Sequence, residues 1–173
     1  MQIPLQLTTG AAVIRPLLTA DWPMLLRLNA DNRPAVAALD ESGLTHLLDF
    51  GGHHLVAVDR QDNVLGYLLS FPRGSAYDDS EINRLRLLVP EPFFYICQVV
   101  IAREHRRQQV GRRLYDAVTE AARQSGARAL CVDVNTDPPN PESFSFHFHQ
   151  GFAKIGEGIS SDGPAVAFLA KRL

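Results

Sequence analysis

The chain has 173 residues, of which 46% are hydrophobic and 21% charged, and a net charge of −2. That balance is ordinary for a soluble globular protein, and the length suits one domain over residues 1–173 with a core of its own. It argues against nucleic acid as a partner, which a basic face would serve. It also argues against a membrane protein, because no apolar run approaches the roughly 20 residues of a span. The opening MQIPLQLTTG lacks the charged start and apolar block of a secretory leader, so a cytoplasmic location is expected. Cys97 and Cys131 both fall in apolar runs, where Cys behaves as a small hydrophobe, and neither has a partner at zinc-ligand spacing, so no metal is expected.

Ala11 to Pro16 reads as a first strand. Thr19, or Asp21 just before Trp22-Pro23, starts a helix that carries Trp22, Leu25, Leu26 and Leu28 and runs to about Asn29. Pro34 breaks the chain, and Ser42 opens a second helix that ends at Gly51-Gly52. His54–Asp59 and Val64–Phe71 are two strands joined by the turn residues Gln61-Asp62-Asn63, a hairpin. From Pro72 to Pro92 the pattern loosens, with a short helix over Glu81–Leu85 capped by Asp79 or Ser80. A long excursion between buried strands is usually a lid or a binding loop.

Phe93 to Gln124 is the stretch that organises the rest. FFYICQVVIA is a strand, REHRRQQVGRR a basic turn, and LYDAVTEAARQ a helix with Val110, Leu114, Ala117, Val118 and Ala121 on one face. Arg106, Arg107, Arg112 and Arg113 crowd the start of that helix, where the dipole is already positive and Asp or Glu is the usual choice. Either the arginines splay into water, or a bound anion meets them together with the backbone N–H groups. Ala129–Val134 is a second buried strand, parallel to the first because a helix connects them. Asn140-Pro141-Glu142-Ser143 opens a helix carrying Phe144, Phe146, His147, Phe148 and His149, and Phe152–Ile155 and Ala165–Ala170 close the chain as strands. The order predicts an α/β (α+β mixed) protein with helices flanking a mixed sheet.

Three motifs in this order resemble the GNAT acetyltransferases, and among them a bacterial subgroup. Arg106-Arg107-Gln108-Gln109-Val110-Gly111-Arg112 is similar to the family's [Arg/Gln]-x-x-Gly-x-[Gly/Ala] pyrophosphate loop. A strand to Asn135 follows. Asn140-x-x-Ser143-x-x-Phe146-His147-x-x-x-Gly151-Phe152 is similar to the family's Asn-x-x-Ala-x-x-Leu-Tyr-x-x-x-Gly-Phe ending. Two positions depart from the pattern. Gln109 stands where the loop has its first glycine, and a non-glycine held at φ > 0 costs roughly 1 kcal/mol or more. His147 stands where the family has Tyr.

The resemblance implies a GNAT-like fold with a largely antiparallel sheet and a parallel central strand pair. It implies acetyl transfer from acetyl-CoA, the cosubstrate, to a primary amine of a small molecule or peptide. Arg106, Arg107, Gln108, Gln109, Val110, Gly111 and Arg112 would hold the pyrophosphate. Val99, Val100 and Ile101 would pair with pantetheine, with the Val99 N–H facing the thioester carbonyl, and Asn140 would cap its helix, contact CoA, or both. His147 would be the acid that protonates the leaving thiolate, or a packing residue. The amine needs a base with a pKa near the working pH. Glu91, Asp78, Asp79, Glu81 and strand-held water are the candidates, with Glu91 taken as the site residue. Cys97 as an acyl-carrying nucleophile is the less favoured route. A non-catalytic acyl-CoA sensor on the same fold is the alternative function, and a homodimer is compatible with it. A dinucleotide-binding domain is disfavoured because G-x-G-x-x-G is missing.

Overall fold

The structure, a computed structural model, describes residues 11–173; the opening decapeptide, read above for a leader, lies outside the described residues. The elements are β1 (Val13–Pro16), α1 (Trp22–Asp31), α2 (Glu41–Asp49), β2 (Leu55–Val58), β3 (Val64–Pro72), α3 (Ser80–Leu88), β4 (Phe93–Ile101), α4 (Val110–Gln124), β5 (Ala129–Asp137), α5 (Pro141–His149), β6 (Ala153–Ile159) and β7 (Ala165–Arg172). The strands form one sheet in the order β1-β2-β3-β4-β5-β7-β6. Every neighbouring pair is antiparallel except β4 and β5, which are parallel at its centre. No helix of the described residues is long and apolar enough to cross a membrane.

Alternation along the strands divides the core between two faces. On one face Val56, Tyr67, Leu69, Phe71, Phe93, Tyr95 and Phe168 pack under Leu25 and Leu28 of α1, Leu44 and Leu47 of α2, and Ile82 and Leu85 of α3. On the other, Leu55, Leu68, Phe94, Ile96, Leu130 and Val132 pack under Val110, Leu114, Val118 and Ala122 of α4. The apolar stripe read in α4 is therefore its buried face. Burying one such leucine contributes roughly 1.5–3 kcal/mol.

Local chemistry moved several predicted boundaries. Asp40, not Ser42, caps α2, accepting from the Gly43 N–H at 2.7 Å. Asp21 is only 5% exposed and forms a two-point ion pair with Arg15 at 2.8 and 2.9 Å, tying β1 to the entry of α1. The excursion from 72 to 92 differs most. It holds a full helix, α3, capped by Asp79 on the Ile82 N–H at 2.7 Å, with Ile82 and Leu85 completely buried. Arg86 donates to the carbonyls of Arg73, Ser75 and Tyr77, and Tyr77 stacks on Phe71 at 4.0 Å. The segment is a wall of the core, not a lid, and its first turn carries Asp79, which caps it, and Glu81, which is buried.

Candidate active site

β4 and β5 pair only over Phe93↔Ala129 to Ile96↔Val132. Beyond that point β4 continues to Ile101 and β5 to Asp137 without pairing, so the sheet is open at its middle. β4 makes this possible by a bulge. Its register with β3 passes from Ile96↔Ser70 to Gln98↔Leu69, leaving Cys97 as the extra residue. The Ala102 N–H donates to the Leu65 carbonyl at 2.9 Å. Because hydrogen bonding alternates along an antiparallel pair, Val100 and Gln98 face β3 in the same way, and the backbone groups of Val99 and Ile101 are turned toward the opening.

The chain leaves β4 through a short 3₁₀ turn at Arg103–His105 and enters α4. Gln109 is the N-cap and stands in the left-handed region at φ 66°; Arg107 does too, at φ 59°. The glycine position of the loop is thus a position of positive φ, occupied by glutamine at a cost of about 1 kcal/mol. No side chain caps α4, and its first turn holds no acid. The first helical bond runs from the Arg113 N–H to the Gln109 carbonyl at 3.0 Å, which leaves the N–H groups of Val110, Gly111 and Arg112 without helical acceptors. A Cβ on Gly111 would stand 3.4 Å from the Phe146 ring, so the glycine brings α4 against α5.

The four arginines differ in what they touch. Arg106 donates to Asn32 Oδ1 at 2.5 Å and pairs with Glu142 at 3.4 Å. Arg113 donates to the Ala12 carbonyl at 2.8 Å. Arg112 has only a loose pair with Asp116 at 3.9 Å, and Arg107 and Gln108 are exposed. Two of the four are thus structural ties, which the charge pattern alone did not separate.

On the face covered by α1–α3, Gln98 Oε1 accepts from Asn29 at 3.1 Å and from the Tyr67 hydroxyl at 3.0 Å, while its amide donates to the Ala37 carbonyl. This network fastens the α1–α2 connection to the bulge. Beside it, the Tyr95 hydroxyl donates to Asp133 Oδ1 at 2.6 Å. Asp133 is the first residue of β5 beyond the last pair with β4. Burial pushes its carboxyl up to about 7, with Asp79 and Glu81 adding in the same direction and the Tyr95 hydrogen bond opposing. Burial likewise raises Asp79 and lifts the Cys97 thiol well above its usual range, so Cys97 is no thiolate nucleophile. Asp133 escaped the sequence reading; the signal available was a lone carboxylate inside an apolar strand.

Three further predicted residues are placed as follows. Asn140 Oδ1 accepts from the Ser143 N–H at 3.1 Å, the N-cap geometry. His147 is 2% exposed; its Nδ1 donates to the Ser143 carbonyl at 2.7 Å, which leaves Nε2 to accept from the Tyr115 hydroxyl at 2.6 Å. Burial drives its pKa down to about 4. A neutral imidazole with both nitrogens engaged packs as the partner of Tyr115, the second of the two readings its position allowed. Glu91 stands apart from the opening. It lies before the closed end of β4, six residues from Cys97, or about 20 Å along an extended strand. Its nearest charge is the exposed Arg172 at 3.9 Å.

The model of the acetyltransferase (GNAT) family matches residues 14–152. No curated protein matches the sequence. Among solved structures, Ard1 from Thermoplasma volcanium superposes with a TM-score of 0.75 at 17% identity, covering 94% of this chain and 98% of its own. Arabidopsis thaliana NAA60, solved with acetyl-CoA, gives 0.72 at 13% identity over 94% and 98%. The ribosomal-protein-alanine N-acetyltransferase of Brucella melitensis gives 0.67 at 23% identity over 93% and 99%. At these identities the likeness is one of fold.

Proposed function

The chain belongs to the GNAT acetyltransferase family, and from that premise we propose that it moves an acetyl group from acetyl-CoA to a primary amine of a small molecule or peptide. The observation that carries this reading is the opening between β4 and β5, with the backbone of Val99 and Ile101 turned into it. An extended pantetheine arm satisfies such groups as an added strand would. The Val99 N–H then meets the thioester carbonyl as it gains charge. The pyrophosphate sits on the uncapped N–H groups of Val110, Gly111 and Arg112, with the exposed Arg107 and the loosely paired Arg112 able to turn toward it, and with Gln108, whose amide donates to the Glu104 carbonyl at 2.8 Å, bracing the turn. Arg106 and Gln109 contribute by shaping the turn, one through Asn32 and one through its φ. Val100, buried and facing β3, supports the strand from behind. The acceptor amine approaches from the face of α1–α3. Peptide acceptors are favoured as the first class to try, because structures with this fold include N-acetyltransferases of ribosomal proteins.

A thermal shift series with acetyl-CoA, CoA and ATP tests the reading. Acetyl-CoA at a hundred times its Kd adds about 2.7 kcal/mol to stability, and ATP leaves it unchanged. A thiol-release assay over an alanine-terminated peptide, a lysine peptide and spermidine then finds the acceptor. No stabilisation by millimolar acetyl-CoA overturns the proposal; binding without thiol release on any amine supports the sensor function instead.

A further inference from the structure

We propose that Asp133, held by Tyr95, is the proton acceptor for the incoming amine, and that the acceptor is therefore an alkylammonium ion that arrives charged. This rests on the acetyltransferase reading above. Asp133 stands at the vertex of the opening, on the α1–α3 face, one residue past the last β4–β5 pair. Three carboxylates influence one another there, and two have structural employment. Asp79 caps α3 through the Ile82 N–H at 2.7 Å. Glu81 accepts from the N–H and hydroxyl of Ser161 at 2.8 and 3.0 Å. Asp133 has the Tyr95 hydroxyl on Oδ1, and among the described residues nothing donates to Oδ2.

Tyr95 of β4 touches it, and the groups coupled to its charge are Cys97 from β4, Asp79 and Glu81 from the start of α3, and Tyr115 of α4. None of these is a cation that would hold Asp133 as a low-pKa carboxylate. Burial and the neighbouring acids therefore bring its carboxyl to about 7, where it is partly ionised at working pH and strong enough as a base to deprotonate an ammonium. Tyr95 fixes the carboxylate by one hydrogen bond and is a positioning residue.

In the reaction, one ammonium proton passes to Asp133 Oδ2 and from there to water. The freed nitrogen lone pair forms the C–N bond at the thioester carbonyl. The carbonyl re-forms as the C–S bond breaks, and the second nitrogen proton goes to the departing sulfur. The products are the acetamide, CoA thiol and the proton released by Asp133.

The test uses the full chain, Asp133→Asn and Tyr95→Phe, with the acceptor that gives most thiol release among the alanine-terminated peptide, the lysine peptide and spermidine. Asp133→Asn is expected to lower kcat by about 100-fold or more, to leave the acetyl-CoA thermal shift in place, and to remove the acidic limb of the kcat/KM profile. Tyr95→Phe retains activity but moves that limb up by about one pH unit, since the bond it removes favours the ionised carboxylate. A merely structural Tyr95–Asp133 pair would lower stability in both variants and leave the limb where it was. Unchanged kcat in Asp133→Asn, or an unmoved limb in Tyr95→Phe, overturns the proposal. If the parent acetylates no amine, carbon-13 titration of the Asp133 carboxyl decides separately: a midpoint near 7 that rises in Tyr95→Phe supports the base assignment even as the choice of acceptors fails, and a midpoint below 5 overturns it.

Discussion

The two halves of the β4–β5 pair differ in what their residues are for. In the closed half, Phe93–Ile96 against Ala129–Val132, the backbone groups are paired and the side chains are apolar and buried. In the open half, from Cys97 and Asp133 onward, the strands part, a bulge turns the register, and polar side chains appear: buried Gln98 tied to Asn29 and Tyr67, and half-buried Asp133 tied to Tyr95. The closed half holds the sheet together so that the open half can leave backbone donors unpaired. Unpaired buried backbone costs free energy comparable to a lost hydrogen bond, so it persists where a ligand or water completes it.

Substitutions in the two halves should therefore separate stability from chemistry. The largest effect expected is the loss of turnover in Asp133→Asn, with folding intact. Leu130→Ala, in the closed half, should do the reverse. The side chain is fully buried, so urea unfolding should show a loss of about 2–5 kcal/mol, while kcat per folded molecule is unchanged. A fall in kcat of tenfold or more without loss of stability would erase the division between the halves.

His147 gives a pH-dependent contrast. Its folded pKa of about 4 lies below the ordinary value of 6.5. Its share of stability is thus present above pH 6.5 and lost as pH falls toward 4, on the order of 3 kcal/mol in all. Urea unfolding at pH 7 and pH 4.5 should show that loss in the parent and not in His147→Gln. The turnover of His147→Gln at pH 7 should follow its folded fraction; a kcat reduced a hundredfold in fully folded variant would favour the acid role instead. The smallest effect is at the turn. Gln109→Gly relieves the positive φ and should raise stability by about 1 kcal/mol or less, since glycine's unfolded entropy offsets part of the gain. A loss of stability would mean that the glutamine side chain holds the turn by contacts that outweigh the strain.

Much of this was legible in the chain. β4 and α4 were marked by a dense β-branched and aromatic run and by a helical apolar stripe, patterns set by neighbours one turn or two residues away. Gln109 was singled out because the family places glycine there, and its backbone does take the left-handed conformation. What stayed hidden depends on partners far away in sequence. Tyr95 and Asp133 are 38 residues apart, and Tyr115 and His147 are 32 apart. Nothing local distinguishes a strand Asp that faces water from one that receives a buried hydroxyl. The distance of Glu91 from the opening stayed hidden for a related reason: the position where two parallel strands part is a matter of register, which the composition of neither strand records.

Amide hydrogen exchange with and without acetyl-CoA tests the role of the opening most directly. The N–H groups of Val99 and Ile101, turned into the gap, should slow strongly when acetyl-CoA is added. Those of Phe94 and Ile96, in the half already closed by β5, should exchange as before. Unchanged exchange at Val99 and Ile101 under saturating acetyl-CoA would contradict the assignment of the gap as the site where the cosubstrate binds.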